Sequence, residues 1–155
     1  MSDMMLSPEE LAKASGTASR KRPSVAVAAV LVKDDKVLVS ERLAGKLQGK
    51  YAAPGGHLEW METFEEAAVR ELREETSIET TVENCEVVGV DQGFAEDEDF
   101  CCVIVFVHVK AWVGDPRRME PGKQGPWEWV PRFDMPEKVL GPLRKMYVKL
   151  LGDLG

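Results

Sequence analysis

Apolar and polar positions change period along the chain, and the changes mark out its elements. Ser24 to Val32 is a near-continuous run of Val, Ala and Leu, the pattern of a strand covered on both faces. The charged turn Lys33-Asp34-Asp35-Lys36 separates it from Val37-Leu38-Val39, which reads as its hairpin partner. Leu43 to Lys50 reads as a loop, and Tyr51-Ala52-Ala53 leads as a third strand into Pro54-Gly55-Gly56. Thr63 to Thr76 takes a helical period, with Thr63 as N-cap and Glu66 three residues on. Three β-branched and aromatic stretches follow, Thr80 to Val90, Cys101 to Trp112 and Trp127 to Val130. The acidic loop Glu96 to Asp99 and the Pro/Gly-containing loop Gly114 to Gly125 divide them. Leu143 to Leu151 repeats at amphipathic helical spacing. Residues 1–23 read as a flexible tail with at most a short helix opening at Ser7-Pro8-Glu9-Glu10. The pattern predicts one α/β domain over 24–155, a mixed sheet with a glutamate-rich helix after the third strand and a helix at the C-terminus.

Composition narrows what such a domain can do. Its 155 residues fit a single core, and 27 acidic against 20 basic residues give a net charge of −7. That balance argues against a nucleic-acid polymer or an anionic membrane as partner. A small phosphorylated ligand stays open, because a bound divalent cation reverses the local sign. The longest apolar run is too short to span a bilayer, and the N-terminus carries acids where a signal peptide needs basic residues. Cys85, Cys101 and Cys102 show no metal-ligand spacing, so free thiols in a reducing, cytoplasmic setting are expected. Arg20-Lys21-Arg22 reads as a solvated basic stretch more than as a nuclear-import or phosphate patch.

The negative charge has an address. Between Gly55 and Glu75 lie seven Glu and two Arg. Projected as a helix, Phe64, Ala68 and Leu72 form an apolar stripe, and Glu71 and Glu75 fall on that stripe with Glu74 beside it. Arg70 lies on the opposite side with Glu66 and Arg73, within reach of Glu66 and Glu74, so nothing basic is supplied along the Glu71–Glu75 line. A hard divalent ion held by carboxylate oxygens would resolve the conflict. Pro54-Gly55-Gly56 just ahead permits a close backbone approach.

Gly56, Glu62, Arg70-Glu71-Leu72, Glu74-Glu75 and Ile78 together resemble the signature of the Nudix hydrolases at every spacing. Ser77 departs from it, since the family usually has Gly there, which supplies a left-handed helix end at lower cost. GGHLEWMETFEEAA and MEPGKQGPWEWVP look like the eukaryotic nucleoside-triphosphate diphosphatases and the plant dihydroneopterin-triphosphate pyrophosphohydrolases. The resemblance implies a Nudix fold, a mixed sheet between helices (α/β/α), and a hydrolase using Mg²⁺ or Mn²⁺ to cleave a (d)NTP into a monophosphate and pyrophosphate. An ADP-ribose or nucleoside-diphosphate-sugar pyrophosphatase is the alternative, and a catalytically silent binding module the reading from another class. It further implies Glu71 and Glu75 as first metal ligands, with Glu74 and the Gly56 carbonyl next. Glu71 and Glu74 are candidate catalytic groups, and Arg70 orients the glutamates by pairing with Glu62 or Glu74. The general base stays open between a helix glutamate and an acidic-loop residue such as Glu98. Arg42 matches a frequent phosphate-binding Arg, though a plain surface role fits it too. Gly55 and His57 stand at the substrate loop, His57 either as a turn residue or as a substrate contact. Trp127 and Trp129 read as core residues more than as base-stacking ones. Leu140 and Gly141 replace aromatics of the subgroup and imply a wider base pocket. Relatives suggest a homodimer.

Overall fold

The computed structural model describes residues 5–14, 21–131 and 134–154. Much of the expected tail, Arg20 included, lies outside the described residues. The short helix expected there is present as α1 (Pro8–Ala14), and its capping box forms between Ser7 and Glu10.

The apolar run becomes β1 (Ser24–Val30), an inner strand of a mixed four-stranded sheet. It pairs antiparallel with β5 (Gly55–His57) and parallel with β7 (Phe100–Val109), and β7 continues antiparallel to β6 (Cys85–Ala95). In the second sheet β3 (Lys36–Glu41) pairs antiparallel with β2 (Val32–Lys33), β4 (Tyr51–Ala52) and β8 (Glu128–Pro131). Two expectations are corrected here. Val37–Val39 meets the Ser24 run only at its far end, where Val32 pairs with Val37 and the Leu38 N–H donates to the Leu31 carbonyl at 3.4 Å, because β5 and β7 take both edges of β1. The glutamate helix follows the fifth strand rather than the third, since β2 and β5 are too short to leave a periodic signal. The strand expected from Thr80 begins at Cys85, after a 3₁₀ turn at Val82–Asn84, and runs on to Ala95.

Two helices cover the first sheet and make it α/β/α. On one face, Ala67, Ala68 and Leu72 of α2 (Phe64–Thr76) pack with Val27, Ala29, Val105 and Val107. On the other, Leu143, Met146, Tyr147 and Leu150 of α3 (Gly141–Leu154) pack with Val30 and Phe106. Alternate β1 residues serve the two cores, which is why the strand is apolar throughout.

The ends of α2 set where its glutamates point. Thr63 Oγ1 accepts the Glu66 N–H and Glu66 Oε1 accepts the Thr63 N–H, each at 3.1 Å, a closed capping box. At the far end Ser77 takes the left-handed conformation usual for Gly, with φ 65°, and donates its N–H to the Arg73 carbonyl at 3.0 Å. The buried Ile78 next to it offsets the strain by joining the core. Ser77→Gly should therefore raise stability by about 0.5–1 kcal/mol, read as a higher urea midpoint. An unchanged or lower midpoint would show that Ser77 is not strained.

Candidate functional site

The two glycines of β5 lie against the last turns of α2. The Gly55 N–H donates to Glu75 Oε2 at 3.1 Å. A Cβ on Gly55 would run into the Val27 carbonyl, and one on Gly56 into the Glu71 carboxylate. Both positions need glycine for closeness, not for turn geometry. Glu71 and Glu75 are each only 8% exposed, as their place on the apolar stripe demands. Phe64, at the start of that stripe, is by contrast partly exposed.

Arg70 starts on the opposite side of the helix, and its guanidinium folds back to tie the preceding loop to the glutamates. It donates to Glu62 at 2.6 and 2.9 Å, to the His57 carbonyl at 3.1 Å, and to Glu71 at 2.8 Å; Glu74 lies 3.5 Å away. The expectation of no cation along the Glu71–Glu75 line is thus corrected for Glu71, because the arginine side chain is long enough to cross. Glu75 has no basic partner within ion-pair distance among the described residues. Pairing with Arg70 holds Glu62 below the usual carboxylate range. Burial raises Glu71 in spite of Arg70, and it pushes Glu75 up to about 8. For Glu75 the neighbouring Glu71 and Glu120 add to the rise, while the Gln124 amide and the Gly55 N–H oppose it.

An uncompensated buried carboxylate is costly, and its donor chemistry fits a divalent cation. Carboxylates of Glu71 and Glu75 converge on a glycine cradle that a Cβ would fill. Among the described residues no three His, Cys, Asp or Glu side chains yet surround one point, and Arg70 holds Glu71. The residues therefore fit Mg²⁺ or Mn²⁺ through Glu75 and Glu71, with Glu74, half exposed and only loosely paired, in reserve.

The glutamates form one wall of an open cleft of about 1320 Å³. Glu71, Glu74, Glu75 and Glu120 make its acidic end, and Lys21, Arg22, Arg42, Lys46 and Lys123 supply basic groups. Ala26, Ala28, Ile104, Phe106, Leu140 and Leu143 supply apolar surface, and Gly55, Gly56 and His57 also line it. The structure thus brings together every expected metal and substrate residue, while Arg70 stands behind the cleft wall. Arg42 spends its Nε on the Lys46 carbonyl at 2.9 Å, leaving the rest of its guanidinium to the cleft. Of the acidic loop, Glu96 and Asp99 line the cleft, whereas Glu98 is not part of its wall and its carboxylate accepts the Leu47 N–H. Both tryptophans pack in the core. The Trp127 indole donates to the Glu75 carbonyl at 3.1 Å, and Trp129 stacks on Trp112 with centroids 6.1 Å apart.

Glu120 and Gln124 are functional-site residues that the sequence reading passed over. They sit in a Pro/Gly connection without periodicity, and backbone pairing with residues 41–43, the bridge between Arg42 and Gln124 included, carries them to the cleft. No local signal marks them.

Residues 20–150 match the NUDIX domain family. The chain belongs to the Nudix family. A MutT Nudix hydrolase from Burkholderia pseudomallei superposes with a TM-score of 0.75 at 25% identity, covering 83% of this chain and 98% of that one. A bifunctional NMN adenylyltransferase/ADP ribose pyrophosphatase from Francisella tularensis, solved with AMP and a manganese ion, shares the Nudix fold. Its TM-score is 0.69 at 22% identity, over 95% of this chain and 46% of that one. An ADP-ribose pyrophosphatase of Methanocaldococcus jannaschii is 46% identical over 56 residues, 36% of this chain and 33% of that protein. The match thus spans about a third of that relative.

The raised Glu75 has a consequence for stability in this Nudix domain. A carboxylate whose folded pKa is raised costs stability as pH climbs from its unfolded value, 4.5, toward about 8. In EDTA, Glu75→Gln should therefore melt above wild type at pH 8 and level with it near pH 4.5, by differential scanning fluorimetry. Adding Mn²⁺ should stabilise wild type more than the variant. A metal-free variant that melts below wild type at pH 8 would contradict the uncompensated charge.

Proposed function

We propose that this Nudix protein is a Mg²⁺- or Mn²⁺-dependent nucleotide pyrophosphohydrolase, cleaving a (d)NTP or related nucleotide to a monophosphate and pyrophosphate. The observation that carries the reading is the pair of core-side carboxylates, one without a cation, at the acidic end of a cleft with basic groups. Glu71 and Glu75 hold the ion, with Glu74 and the Gly56 carbonyl next to it. When bound, the ion neutralises the phosphates and lowers the pKa of the attacking water. Arg70 fixes Glu71 against the loop carrying Glu62, which keeps the carboxylate in one orientation. Glu74 and Glu120 face the cleft as carboxylates able to take the proton of the attacking water. As water attacks phosphorus, the anhydride P–O bond breaks and pyrophosphate leaves.

Arg42, Lys46 and Lys123 are placed for the remaining phosphate charge, and the Gly55–His57 strand for close backbone contact. The base rests on Leu140 and the small residues Ala26 and Ala28, a surface with room and few polar groups. This supports broad base selectivity, in keeping with the Leu140-Gly141 replacement and the resemblance to the eukaryotic nucleoside-triphosphate diphosphatases. The archaeal relative favours a second reading, ADP-ribose hydrolysis, which the cleft volume accommodates. A homodimer belongs to the same proposal on the resemblance alone, and a cytoplasmic setting on the three free cysteines; no described helix is long and apolar enough to cross a membrane.

A panel of dNTPs, NTPs, ADP-ribose and nucleoside-diphosphate sugars with Mg²⁺ tests this directly. Turnover should require the metal, release pyrophosphate from triphosphates, and fall at least about a hundredfold in Glu75→Gln. A higher kcat/KM for ADP-ribose than for any triphosphate would select the second reading. No metal-dependent turnover of any nucleotide would overturn both.

A further inference from the structure

Gln124 sits on the strap Glu120–Gly125, whose backbone is tied at several points. The Glu120 carbonyl accepts the N–H groups of Lys123 and Gln124 at 2.9 and 3.0 Å. Leu43 N–H donates to the Lys123 carbonyl and Gly125 N–H to the Glu41 carbonyl, both at 2.8 Å. The Arg118 guanidinium binds the Gln124 carbonyl at 2.8 Å and the Pro121 carbonyl at 3.1 Å. Gln124 thus has both backbone polar groups engaged, and its side chain enters the cleft from a fixed point.

The side-chain amide lies beside Glu75 and favours its charged form. Toward ionised Glu75, the form that would hold a cation, only the NH₂ end of the amide can donate, so the NH₂ faces it and the oxygen turns away. That oxygen is buried and has no hydrogen-bond partner; among the described residues it is the one buried side-chain nitrogen or oxygen so left. Such an atom is costly to leave unpaired. The carboxylates on the same cleft wall, Glu71, Glu74 and Glu120, are acceptors and cannot satisfy it. A hard divalent ion can, because amide carbonyl oxygens serve such ions as well as carboxylates do.

We propose that Gln124 is a positioning residue that holds Glu75 through its NH₂ group and gives its side-chain oxygen to the divalent ion as a neutral donor. The proposal rests on the reading that Glu71 and Glu75 hold that ion. It makes the strap, and not α2 alone, part of the metal site. A neutral donor completes the coordination without adding another negative charge to an end of the cleft that already carries four carboxylates.

The test is a Mn²⁺ titration of the full-length protein, with free Mn²⁺ followed by its EPR signal and melting temperatures taken in EDTA. Gln124→Leu should raise the Mn²⁺ Kd about tenfold with little change in the EDTA melting temperature, since the unpaired oxygen and the amide bond to Glu75 are lost together. Gln124→Glu should bind Mn²⁺ at least as tightly as wild type. Wild-type Mn²⁺ affinity in Gln124→Leu overturns the proposal. So does an equal loss of affinity in both variants with a lowered metal-free melting temperature, which would make the side chain purely structural. Glu75→Gln is the separate control: if it binds Mn²⁺ like wild type, the glutamate reading itself fails, whatever Gln124 does.

Discussion

Two carboxylates held on the core-facing side of a helix are the constraint around which the rest is arranged. Glu71 and Glu75 share the buried stripe of α2 with Ala68 and Leu72, which pack into the core. Charge in that position must be met by partners or it opposes folding. The chain supplies partners from several directions. Gly55 brings a backbone N–H, and Gly56 brings the absence of a side chain. Arg70 reaches over from the other side of the helix to Glu71. The helix, the loop and the strand before it are fitted to one local electrostatic problem. The supply stops short at Glu75, and the proposed cation site rests on that deficit.

The cleft separates charge in a way the net −7 conceals. Its acids come from α2, from Glu120 of the strap and from Glu96 and Asp99 of the acidic loop, and its basic groups all come from outside the helix, Lys21-Arg22, Arg42, Lys46 and the strap's Lys123. Those outer segments are tied to the tip of the β6–β7 hairpin: Lys21 pairs with Asp99 at 2.8 Å, Lys46 reaches the Asp99 carbonyl, and Glu98 takes the Leu47 N–H. The acidic loop thus anchors basic groups at the rim rather than supplying chemistry. Being exposed, such pairs add little to stability; their effect is to place charge.

The parts legible in the sequence are those written in local rules. The capping box of α2, its length and the register of its acids against its apolar stripe follow from periodicity and end chemistry alone. The doubly covered β1 follows from its unbroken apolar run. What escaped was set by pairing between distant segments. The split into two sheets depends on which strands occupy the edges of β1, and two- or three-residue strands such as β2 and β5 are too short to carry a period. Glu120 and Gln124 escaped for the same reason, since an aperiodic strap acquires its role only through backbone bonds to residues 41–43. The reach of Arg70 escaped because helical projection fixes where a side chain starts, not where a long one ends.

The parallel pairing of β1 with β7, Ser24 beside Cys102 and Val30 beside His108, governs the order in which this molecule can assemble. Helix α2 carries its own start signal and can form as soon as it is synthesised, yet Val105, Val107 and Val109, part of the core that buries it, are made much later. During that interval β1 is an apolar strand with an open edge, the kind of segment that associates with other chains. Closing so long a loop makes strand pairing the slow step of folding. The glutamate pair therefore stays solvated, and no cost of burying it is felt, until the last strands arrive and the sheet closes.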